Sequence, residues 1–164
     1  MVSRAAEMAA AAREAIELAF AGRPALAYPE GAKSIGEVEC LDAFKSVDLH
    51  DLTPKALFLL RDCYAYLPVE WREAYVPAYL SLVLQLCTDP NAVYPREVWD
   101  RNIDDLMPPI NLRFGSGGHR FSIAQCRALA LFFEALLECG FSIQDVGDLA
   151  GAVEFWRAEA GDRN

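Results

Sequence analysis

Aspartate and glutamate are missing from the stretch Leu106–Phe133, although the chain holds 24 of them. The same stretch keeps Arg113, His119, Arg120 and Arg127. The whole chain stands at −9, so with three arginines here and histidine neutral the remainder stands at −12. A cationic window on an acidic body draws anions or acidic surfaces. Other shortages exclude whole classes. No uncharged apolar run reaches the roughly 18–20 residues of a membrane span. The opening MVSRAAEMAAAAREAIELAF is interrupted by Glu7, Arg13, Glu14 and Glu17, so it forms no apolar secretion core. A basic surplus is absent, which argues against nucleic acid as a partner. There are only two histidines, His50 and His119, and neither has a second ligand at metal spacing. The five cysteines, Cys40, Cys63, Cys87, Cys126 and Cys139, are odd in number and form no CxxC. They read as free thiols in a reducing cytoplasm, with no disulfide and no zinc. No serine stands in a GxSxG context, and the phosphate-binding glycine motifs are lacking. The expectation is therefore a cytoplasmic protein that is not an enzyme and holds no cofactor.

What is present is helical. At 164 residues and 54% hydrophobic content, the chain suits one domain that buries about two-thirds of its unfolded surface. Ala5, Met8, Ala12, Ile16 and Ala19 recur at spacings of three and four, giving a first helix from about Arg4 to Ala21. Gly22 and Pro24 stop it. A short helix is expected from about Glu37 to Lys45. Thr53-Pro54 then makes an N-cap and a first helical position, for a helix to about Tyr66. Pro68 leads the next helix to about Leu86, with Pro77 expected to kink it or split it near Val76. Thr88-Asp89-Pro90-Asn91 reads as a turn. Pro95 opens a helix to about Leu106, and Pro108-Pro109 end it.

Ser122 and Gln125 have the spacing of a capping box. The helix they start, Ile123–Glu138, is apolar nearly all round and is placed at the centre. On such a helix Arg127 is expected to pair internally with a carboxylate. Gly140 ends it. Phe141-Ser142-Ile143-Gln144-Asp145 echoes Phe121-Ser122-Ile123-Ala124-Gln125, so a second capping box should turn the chain back into a last helix reaching about Glu159. The fold class is all-α: one compact domain of about six or seven helices around the helix near 123–138. Residues 107–121 read as irregular, the alternative being a minor β-hairpin over 112–121 across Gly115-Ser116-Gly117-Gly118.

Tyr66-Leu67-Pro68, then Tyr75-Val76-Pro77-Ala78-Tyr79-Leu80, then Phe121-Ser122-x-x-Gln125, together with Ala19-Phe20 at the first helix end, resemble a family of small uncharacterised bacterial proteins, a domain of unknown function. The resemblance covers most of the chain. It implies a small, bacterial, cytosolic, mostly helical protein and carries no activity or site.

Three features compete as sites. Arg113, His119 and Arg120 flank the glycine loop just before a helix N-terminus, where amides and the helix dipole suit an anion. The plainer reading is a surface loop whose arginines meet the acidic body. Trp71, Tyr75 and Tyr79 follow each other at i, i+4, i+8, a pattern that fits either an interface or the edge of the core. Glu37, Glu39, Asp42, Asp48 and Asp51 lie in a stretch from Glu30 to Asp51 that carries six acids against Lys33 and Lys45. A solvated face is the usual meaning of such a run; a docking face for a basic protein is the sharper one. The leading expectation is an acidic protein-binding domain, in concrete form an immunity- or antitoxin-type neutraliser of a basic toxin domain. The alternatives are a small anionic-ligand or enzymatic domain built on loop 113–120, and a homo-oligomer in which the cationic window of one copy meets the acidic stretch of another.

Overall fold

The computed structural model describes residues 3–21, 35–45, 69–89, 91, 106–107, 121–140 and 148–161, without the side chains of 35–37, 44–45 and 69–74. Among these residues there are five helices and no strand: α1 (Arg4–Ala19), α2 (Ile35–Lys45), α3 (Val69–Thr88), α4 (Ile123–Glu138) and α5 (Leu149–Glu159). The helices expected over 54–66 and 95–106, and the hairpin expected over 112–121, lie outside the described residues apart from Leu106 and Phe121.

Several helix ends have a local cause. Ser3 caps α1, its Oγ accepting from the Ala6 amide at 3.2 Å. Ser122 and Gln125 form the full reciprocal box at α4: Ser122 Oγ accepts from the Gln125 amide at 3.2 Å, and Gln125 Oε1 accepts from the Ser122 amide at 2.9 Å. Two otherwise orphaned donors are thus satisfied. Gly140 follows α4 with φ +67°, the left-handed conformation in which a chain leaves a helix and which glycine adopts without a Cβ clash. The turn after α3 also forms, with Asp89 Oδ1 accepting from the Asn91 amide at 2.8 Å.

Helix α4 sits at the centre of the described helices, packed mainly against α1 and α5 and more lightly against α3. Its buried face carries Cys126, Leu129, Phe132, Phe133 and Leu136. Helix α1 meets it with Ala9, Ala12, Ile16 and Phe20, and α5 with Leu149, Ala152, Val153 and Trp156. Alanines at Ala9, Ala12, Ala128, Ala135 and Ala152 leave room for close approach of the backbones, and the large rings fill the space between. An edge-to-face relay of rings runs Phe20–Phe121–Trp156–Phe155, with centroids 6.0, 5.8 and 5.1 Å apart. It ties the end of α1, the start of α4 and the end of α5 together. At the other end of α4, Arg4 reaches Glu138 at 3.6 Å. Helix α4 is therefore antiparallel to α1.

Two expectations need correction, and a third is narrowed. Of the two outcomes expected at Pro77, the split is excluded, because α3 is continuous from Val69 to Thr88. A proline removes one intrahelical bond. Tyr75, Val76, Tyr79, Leu80 and Val83 bury their side chains on both sides of it and hold the helix through the defect. Helix α4 is not enclosed all round, since Ile123, Leu131 and Leu137 are 58%, 38% and 44% exposed. Arg127 accordingly lies exposed, on an outer strip with Ala124, Leu131 and Glu138. A helix held between two neighbours still leaves one strip at the i, i+3, i+4 spacing facing outward. Finally, α5 begins at Leu149, capped by Asp148, whose Oδ1 accepts from the Ala150 amide at 3.0 Å. The capping-box echo at Ser142–Asp145 lies outside the described residues.

Candidate functional site

Trp156 organises the base of the acid-free window. It is fully buried, and its Nε1–H donates to the carbonyl of Leu106 at 2.9 Å. Its ring also lies against Phe121. Leu106 and Phe121 bound the segment that holds Arg113, His119, Arg120 and the four-residue glycine run. One indole therefore holds both ends of that segment, fifty residues away from Leu106 in sequence. No motif marks this role: the signal available in the sequence is only a tryptophan in an apolar stripe, whose N–H needs a partner once buried. Arg113, His119 and Arg120 themselves lie outside the described residues.

The helix N-terminus beside that segment is described. The capping box occupies the amides of Ser122 and Gln125, and the Cys126 amide donates to Ser122 O at 2.8 Å. The first-turn amides of Ile123 and Ala124 are what such an end offers to water or an anion. This helix end therefore adds two amides, not four, to the anion reading.

The acidic stretch falls partly on α2. Cys40 and Leu41 anchor that helix, at 8% and 1% exposure, while Glu39 and Asp42 face outward. The two carboxylates are three residues apart and so share one face. Glu37 belongs to the same helix, its side chain outside the described set, as are Asp48 and Asp51. On α1, Glu7, Glu14 and Glu17 are also exposed. Four arginines, Arg4, Arg13, Arg127 and Arg157, are exposed among a larger number of acids; Arg4 is engaged with Glu138, and Arg157 with Glu134, whose Oε1 lies 2.7 Å from Nη2 and 2.9 Å from Nε. The described helix surfaces are therefore predominantly acidic.

The aromatic candidates divide. Tyr75 and Tyr79 are 3% and 4% exposed and belong to the core, the plainer of the two roles read for them. Burial pushes the Tyr75 phenol up from 10.0 to about 12. The Trp71 side chain lies outside the described residues. Among the described residues, Cys40, Cys87, Cys126 and Cys139 form no disulfide. Burial first, and then the neighbouring Cys139, push the Cys87 thiol up from 9.0 to about 12. Burial first, and then Glu159, push Cys126 up to about 11 against an opposing backbone hydrogen bond. Burial, then Glu138, raises Cys139. These are the properties of packed thiols rather than activated nucleophiles. Among the described residues, no group of three or more His, Cys, Asp and Glu side chains is placed to hold a metal, and no helix is long and apolar enough to cross a membrane. No family model, curated protein or solved structure matches the chain.

Proposed function

We propose that this chain is a non-enzymatic, cytoplasmic binding domain whose carboxylate surface docks a basic protein. Its concrete form is an immunity- or antitoxin-type neutraliser of a basic toxin domain. The observation that supports this most is α2, where Cys40 and Leu41 fix the helix and Glu39 and Asp42 stand outward on one face. The overall charge of −9 adds a long-range field of the same sign. Such a surface raises encounter rates with a cationic partner and repels acidic ones. On this reading the whole chain acts as one domain, with one or two helices beyond the five described.

The test is affinity capture with the full chain at low and high salt, followed by identification of what is held. A basic protein bound at low salt, released at high salt and lost by the double variant Glu39→Lys/Asp42→Lys supports the proposal. No partner, or a partner indifferent to both salt and charge reversal, overturns it.

A further inference from the structure

We draw no further inference here: the strongest candidate, the half-buried thiols Cys87 and Cys139 at the C-terminal ends of α3 and α4, carries nothing because only the raised pKa of Cys87 places the two together.

Discussion

Trp156 does two jobs with one side chain, and its hydrogen bond can be separated from its bulk. Trp156→Phe keeps an aromatic ring but leaves the buried Leu106 carbonyl without its donor. An abandoned buried acceptor costs about 1–3 kcal/mol, and the smaller ring adds to that. Urea unfolding should show a lower midpoint with little change in slope; an unchanged midpoint would mean that the bond to Leu106 contributes nothing. At the surface, Ser122→Ala removes one half of the α4 capping box and should cost about 1 kcal/mol, with Ser122→Gly costing less. Equal losses for the two variants would show that the side-chain oxygen is not what caps the helix.

The buried thiols and the Tyr75 phenol predict a pH dependence with a definite sign. All are acids whose neutral form the fold favours, so the folded state holds its protons more tightly than the unfolded chain. Their contribution to stability is fully present below pH 9.0, the ordinary thiol value, and is lost as pH rises toward about 12. Unfolding free energy should therefore decline across that alkaline window. Cys87→Ala should make the decline shallower. A decline with the same steepness in the variant would remove Cys87 as a source. The salt bridges matter less to stability: Arg4–Glu138 and Arg157–Glu134 are solvent-facing, a class worth about 0–1 kcal/mol per pair.

At the scale of elements, stability should be most sensitive where α4 is held. Gly140 has open space around an added Cβ, yet its φ of +67° disfavours any side chain. Gly140→Ala should cost about 1 kcal/mol, and Gly140→Asn less, because asparagine tolerates the left-handed region. Thermal melts of the two variants distinguish this from a steric effect, which would make the larger asparagine worse. Helix α4 was legible from sequence because three local signals coincide: the Ser122–Gln125 box, a dense apolar pattern and Gly140. Whether α3 would split at Pro77 or run through it was not legible, because Pro77 is a local signal for a break and the burial that holds the helix together is set by α1 and α4. The start of α5 was displaced because Ser142–Asp145 has cap spacing too, whereas the side chain that caps α5 is Asp148, beside the helix breaker Gly147.

On the scale of the molecule, the exposed faces of the described helices carry more acids than arginines. Exposed acids outnumber the exposed arginines on α1 and α2, while Trp156 joins Leu106, the first residue of the acid-free window, to Phe121 within it. The charge imbalance was visible in the sequence; the joining of Leu106 and Phe121 by one indole was not, because Leu106, Phe121 and Trp156 meet only in the fold. The outward exposure of Ile123, Leu131 and Leu137 also departs from the fully buried helix that composition suggests, since apolar content does not say how many neighbours a helix has. If the window of one copy meets the acidic face of another, light scattering at low salt will show a dimer or larger species that dissociates as salt is added; a monomer at high concentration disposes of self-association.

The central claim concerns the outward acids of α2, and one measurement reaches it directly. Association of the captured basic partner with the full chain should be followed by stopped flow at several salt concentrations, for the wild type and for Glu39→Lys/Asp42→Lys, after circular dichroism has shown that the variant keeps its helices. The account predicts that the association rate falls steeply with salt and that charge reversal lowers it by roughly tenfold or more at low salt. Equal rates for the two proteins, with no dependence on salt, would contradict it.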